Sequence, residues 1–242
     1  MPVNVKKCGV NKFFRSIIDT SYHLFGSKLN LSKSERDLGV IVHKVLSYEE
    51  HIFAICNKAT RMYGWLTRTL VTKDTLVMIR VFKALIRPIL EYASTVWSPT
   101  HVGLILKLES IQRKVTKFAF RNNPVLEYSD RLRLSKLPTL VWRRLFLDLL
   151  MVHRILHGEA TLRKELFKLS SEISSTNLRR HCFTIYKDSF SCNIYKHHFA
   201  IRVVDEWNAL PHDLLNVVNF TIFKKQLKMY LLSNKYPNQW NY

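Results

Sequence analysis

Glycine and proline are scarce, six and seven in 242 residues. A many-stranded all-β protein needs more turn formers than that, so helix is expected to dominate. No two aspartates adjoin, and the only neighbouring acids are Glu49-Glu50 and Asp205-Glu206. Two-metal phosphoryl transfer needs carboxylates held side by side to clamp the ions. The first pair instead suits the positive end of a helix and the second a solvated helix face, so catalysis by this chain alone is not expected. A G-x-x-x-x-G-K phosphate loop and a nucleophile elbow are absent too. The four cysteines form no C-x-x-C pair. Cys182, Cys192, His197 and His198 are close in sequence but lack the short cysteine spacing of a zinc site, so no metal is expected. Cys56 reads as a small core residue, and a reducing compartment is the simpler setting. The longest uncharged stretch, Tyr92 to Leu106, contains Pro99 and His101 and is too short to span a bilayer. Lys6, Lys7 and Lys12 interrupt any leader-like apolar segment, so a soluble chain with no membrane partner is expected.

What is present is positive charge. Lysine and arginine number 38 against 18 acids, a net of +20. Such a balance favours a polyanionic partner, most often nucleic acid. Residues 51–121 hold 12 of the cations and only 3 acids, nearly half the excess in under a third of the length. A phosphate-contacting face is expected there, the rival reading being a solvated helix surface that is merely basic. The candidate contacts are Lys58, Arg61, Arg68, Arg80, Arg87, Lys107, Arg113, Lys114 and Lys117. Tyr63, Trp65, Tyr92 and Trp97 are interleaved with them. Trp65, Tyr92 and Trp97 are expected to pack between helices rather than stack on bases.

Periodicity locates the elements. Val40-Ile41-Val42 reads as a strand entered through a turn at Asp37-Leu38-Gly39. Ser47, followed by Glu49 and Glu50, starts a helix striped by Ile52, Cys56, Ala59, Met62, Leu66 and Leu70. A second runs from Thr72 through Ala93 with Pro88 bending or breaking it, and a third spans about 101–120. Asn122-Asn123-Pro124 marks a boundary. A further helix follows Leu137-Pro138-Thr139 and stops near Gly158; a shorter one is expected over 160–169. Two strand-like pieces, Phe183–Tyr186 and Phe190–Tyr195, precede helices over His197–Trp207 and Thr221–Leu232.

Several short motifs resemble one family. Arg87-Pro88-Ile89-Leu90-Glu91-Tyr92-Ala93, with Trp97-Ser98-Pro99, resembles the region just after the catalytic palm of LINE-type, jockey-like non-LTR retrotransposon reverse transcriptases. Asn4 to Val10 is similar to the family's N-x-x-K-C-x-V element, and Asp37-Leu38-Gly39-Val40 to its DLGV element. Lys107 to Lys114 resembles its LE-x-x-Q-R helix. Leu137-Pro138-Thr139-Leu140 with Arg143-Arg144 resembles its LP-x-L…RR element. Arg179-Arg180 and Trp207-Asn208-Ala209-Leu210-Pro211, then Phe223-Lys224, resemble its C-terminal ending. The order is the family's order over essentially the whole chain.

The resemblance implies a mainly α fold. Residues 1–46 would be the trailing β edge of the palm, 47–121 a three-helix thumb-like bundle, and 122–242 a smaller α+β extension. It implies a primer-grip neighbourhood at Leu38, Gly39 and Val40, and an RNA or RNA–DNA template–primer as partner, with a palm and fingers portion supplied elsewhere. The family's polymerase uses divalent ions, magnesium by class, but its paired aspartates have no counterpart here. The expected role is therefore a non-catalytic, nucleic-acid-gripping part of an RNA-directed DNA polymerase. The alternatives are a repurposed scaffold protein and a remnant without selected function.

Overall fold

The computed structural model describes residues 4–5, 8–13, 21–158, 166–173, 181–187 and 198–235. The protein is mainly helical with small two-stranded sheets, and it forms two compact units, Met1–Lys58 and Ala59–Tyr242. Arg179-Arg180, the Phe190–Tyr195 piece, Cys192 and His197 lie outside the described residues, as does most of the helix expected over 160–169.

In the first unit, β1 (Gly9–Asn11) runs parallel to β4 (Asn30–Ser32). The strands β2 (His23–Leu24) and β3 (Ser27–Lys28) form one hairpin, β5 (Ser34–Asp37) and β6 (Val40–His43) another. Each turns on two residues with positive φ: Phe25-Gly26 at 51° and 76°, Leu38-Gly39 at 43° and 89°. That is the type I′ pattern, whose twist matches the strands. Glycine adopts it freely, whereas Phe25 and Leu38 are strained there and stand 79% and 85% exposed. The strand expected at Val40–Val42, entered through a glycine turn, is present. The helix α1 (Glu49–Thr69) begins where Ser47 Oγ accepts from the Glu49 N–H at 3.4 Å. The buried His51 Nδ1 accepts the Ile41 N–H at 3.3 Å, tying the start of α1 to β6.

In the second unit, Asp74 caps α2 (Thr75–Val81) by accepting the Leu76 N–H at 3.0 Å. Pro88 has no N–H and its ring crowds the carbonyl four residues back. The chain answers with a π-register segment, Phe82–Ile86, in which the Arg87 N–H reaches the Phe82 carbonyl, and then continues as α3 (Arg87–Glu91). The expected bend is thus one widened turn, a usual place for a π segment. After the left-handed Ala93 (φ 51°) comes the short α4 (Ser94–Trp97), and then α5 (Val102–Ala119). The α5 helix packs on α2 and also on α6 (Tyr128–Ser135) and α7 (Leu140–Leu156). The turn at Asn122-Asn123-Pro124 accordingly lies within this unit.

The core is centred on α7, whose Thr139 cap accepts the Trp142 N–H at 3.2 Å. Eleven of its seventeen residues are buried, which is the pattern of a helix covered on nearly every side. The short α8 (Ser170–Ile173) buries none of its residues. Around α7 pack Phe167, Ile185 and the chain beyond His198, where α9 (Phe199–Arg202), α10 (Val204–Asn208), α11 (His212–Leu215) and α12 (Phe220–Tyr230) follow in turn and Val203, Val204, Trp207, Phe223 and Leu227 are buried. The strand expected at Phe183–Tyr186 is reduced to one bridge, Leu169 to Ile185. Its physical reason is Asn208: the side-chain amide accepts the Ile185 N–H at 2.9 Å and donates to the Ile185 carbonyl at 2.8 Å, doing locally what a neighbouring strand would do. The helix expected over His197–Trp207 is α9 and α10, parted at Val203.

Candidate nucleic-acid interface

A buried polar network sets the helices that carry the cations. Glu109, 2% exposed on α5, accepts from the Tyr128 hydroxyl, from the Leu140 N–H at 3.0 Å and from Gln112 Nε2 at 3.4 Å. Gln112 Nε2 also lies 3.0 Å from the Pro138 carbonyl. Burial pushes the Glu109 carboxyl above its ordinary pKa, partly offset by Tyr128 and Leu140 and by Arg144 and Arg113. Arg144 is buried beside it, its guanidinium pushed down to about 10 by burial while Glu109, Asp148 and Glu91 hold it up. Arg143 clasps Glu91 through two bonds of 2.7 Å. The motif residues of three separate helices therefore meet one another, Glu91 with Arg143 and Glu109 and Gln112 with Pro138 and Leu140. Their first role is architectural.

With its inner face fixed this way, α5 turns a basic arc outward. At about 100° per residue, Lys107, Arg113, Lys114 and Lys117 fall within roughly 120°, opposite the arc of Leu108, Ile111, Val115 and Ala119. The latter four are all buried, whereas Lys114 and Lys117 are exposed and Lys107 and Arg113 half-buried. Arg113 lies over the Tyr128 ring at 4.2 Å, a cation–π contact that draws it towards the protein. On α1, Arg61 and Arg68 share one face to within roughly 20°, away from the buried Ala59 and Leu66. Arg68 lies back across Gly64, where a Cβ would stand 3.4 Å from its guanidinium. Lys58 is exposed and belongs to the first unit. Arg80 is exposed on α2. Among the described residues, none of Lys58, Arg61, Arg68, Arg80, Lys114 and Lys117 has an acid within ion-pair distance. Arg87 differs: it is half-buried and 3.9 Å from Glu91, so it is partly committed inside the protein.

Two of the three aromatic expectations are corrected. Trp97 is fully buried, its indole N–H donating to the Tyr92 carbonyl at 2.7 Å. Trp65 and Tyr92 are 52% and 58% exposed. Trp65 is one residue off the apolar stripe and so falls on the face of Arg61 and Arg68. Missed in the sequence was a further set of cations: Lys83 donates to the Ser135 carbonyl at 3.4 Å, and its pKa is lowered by burial and then by nearby Arg87, Lys228 and Lys136. The π segment, the start of α3, the residue after α6 and α12 assemble that set, and no linear pattern marks it. At the expected grip, Leu38 and Gly39 form an exposed hairpin tip and Val40 is buried. Among the described residues no group of three metal-ligating side chains comes together. Cys182 is exposed beside His181, and His198 caps α9 through the Ala200 N–H. Among the described residues no helix is long and apolar enough to cross a membrane.

By class this is a mainly helical protein in which a buried polar network ties α5 to α6 and α7 while Lys114 and Lys117 of α5 are exposed. Compared with known protein families, curated proteins and solved structures, the chain matches none.

Proposed function

We propose that the chain is the non-catalytic C-terminal portion of a non-LTR retrotransposon reverse transcriptase, gripping the backbone of an RNA or RNA–DNA template–primer. Residues 47–121 act as its thumb. The carrying observation is the separation of faces on α5, with Lys114 and Lys117 exposed and unpaired among the described residues while every buried position lies on the opposite arc. A row of such cations holds phosphates by charge and counterion release, without reading sequence. An A-form or hybrid duplex offers the regular phosphate track that a row on a straight helix can follow. Trp65, exposed among the arginines of α1, can stack on an unpaired base at a duplex end. The ordered set of family-like motifs supports the same reading, and magnesium belongs to the catalytic portion rather than to this chain.

Fluorescence anisotropy with a labelled RNA–DNA primer–template tests it. Binding is expected at low salt, falling by about three orders of magnitude between 50 and 200 mM salt if six phosphates are engaged. Binding that ignores salt, or none, ends the proposal. A scaffold role has one observation in its favour: Val71, Leu76 and Val125 are 96%, 67% and 92% exposed. Self-association that persists in high salt during sedimentation would favour it over the grip.

A further inference from the structure

In the second unit a cleft of about 350 Å³ opens between the turn after α3, the side of α7 and the start of α12. Leu147, Met151 and Phe220 give it an apolar wall, and Arg154 and Lys224 stand over it as exposed cations. Glu91 also lines the cleft, but both its oxygens accept from Arg143 at 2.7 Å and Arg87 stands 3.9 Å away. The local balance therefore remains positive. Arg154 lies over the Phe220 ring at 4.3 Å, so one face of its guanidinium is seated while its edge stays available to an acceptor.

The floor carries one sign of an unfilled interaction, beside one strained residue. Ser94 is 2% exposed, and its hydroxyl has no hydrogen-bond partner among the described residues. Such a group is destabilising unless an acceptor arrives. The preceding Ala93 is held left-handed at φ 51°, a conformation a non-glycine residue adopts only where its surroundings enforce it. The enforcement is visible: Arg202 donates to the Thr95 carbonyl at 2.8 Å while gripping Asp148 through bonds of 3.0 to 3.2 Å. The turn is thus tied to the core on its far side and open towards the cleft.

We propose that this cleft binds a phosphomonoester joined to a flat apolar body, a mononucleotide unit by chemical class. The phosphate sits between Arg154 and Lys224, the Ser94 hydroxyl rotates to donate to it, and the body covers Leu147, Met151 and Phe220. Two cations and a hydroxyl suit a phosphate, and a cavity of this size with one apolar wall suits a base or sugar rather than a bare ion. None of the cations on α1 or α5 takes part, so the site stands or falls independently of the grip.

Isothermal titration of the full chain with adenosine monophosphate, adenosine and inorganic phosphate tests it, alongside short oligonucleotides with and without a 5′-phosphate. Adenosine monophosphate is expected to bind at least about tenfold more tightly than adenosine or phosphate. The double variant Arg154→Ala, Lys224→Ala should lose about tenfold or more with an unchanged melting temperature, since both side chains are exposed. Ser94→Ala should weaken binding severalfold, and Lys225→Ala should leave it unchanged. Equal affinity for the monophosphate and the 5′-phosphorylated strand points to a free nucleotide, and tighter strand binding to a strand end; both support the site. No binding of either, phosphate binding as well as the nucleotide, or an unaffected double variant overturns it.

Discussion

Replacing Glu109 is the sharpest test of how the fold is held. In Glu109→Ala the Leu140 N–H, the Tyr128 hydroxyl and Gln112 Nε2 all lose an acceptor, and the buried Arg144 loses a nearby counter-charge. A buried donor left unpaired costs about 1–3 kcal/mol, and the Leu140 N–H and the Tyr128 hydroxyl are two such donors. The terms overlap because the groups form one network, so a loss of about 4–5 kcal/mol is expected. For a unit of this size each kcal/mol lowers the melting temperature by about 2–4 °C, giving a fall of roughly 10–20 °C in calorimetry. Glu109→Leu combined with Arg144→Met should lose less than the two single losses added, because two buried opposite charges are then removed together. A Glu109→Ala protein melting within about 3 °C of the parent, or strictly additive losses, would refute the network.

Three other outcomes follow from the same geometry. Burial pushes the Asp148 carboxyl up from 3.8 to about 6 despite Arg202, so its contribution to stability is fully present below pH 4 and is lost as pH rises through 6. The loss amounts to about 3 kcal/mol, and urea titrations from pH 4 to 7 should show it in the parent and not in Asp148→Asn; identical profiles count against it. Asn208→Ala should cost about 1–3 kcal/mol and expose the 181–187 segment to protease, because Ile185 has both backbone groups held by that amide; unchanged cleavage rates argue otherwise. Leu38→Asn should stabilise the first unit by about 1 kcal/mol, asparagine tolerating the left-handed turn that leucine resists; a neutral or lower denaturation midpoint contradicts the turn assignment.

The long helices were legible because their apolar residues recur at helical spacing and their caps, Ser47 and Thr139, are in the sequence. The turn at Leu38-Gly39 and the strand after it were legible from the glycine, but the partner strand Ser34–Asp37, charged and largely exposed, was not. The helix α6 was not: in Tyr128–Ser135 only Tyr128 and Leu132 are buried, and two positions four apart do not establish a period. Neither was the reduction of the 183–186 strand, since a side-chain amide acting as a strand partner depends on a contact 23 residues away. The basic face was readable residue by residue on α1 and α5, where spacing alone fixes the side. Which cations are drawn inward was not readable. Arg87 meets Glu91 one turn on, but Arg113 over Tyr128 and Lys83 at Ser135 depend on how separate helices cross.

The most direct measurement compares the salt dependence of primer–template binding for the parent chain and for a variant with Arg61, Arg68, Lys114 and Lys117 all changed to glutamine. These side chains are exposed, so the variant should fold as the parent does. The account predicts that the slope of log affinity against log salt becomes shallower by about 3–4, roughly one for each lost phosphate contact, with affinity reduced alike on every duplex sequence. An unchanged slope, or a loss confined to particular sequences, would contradict it.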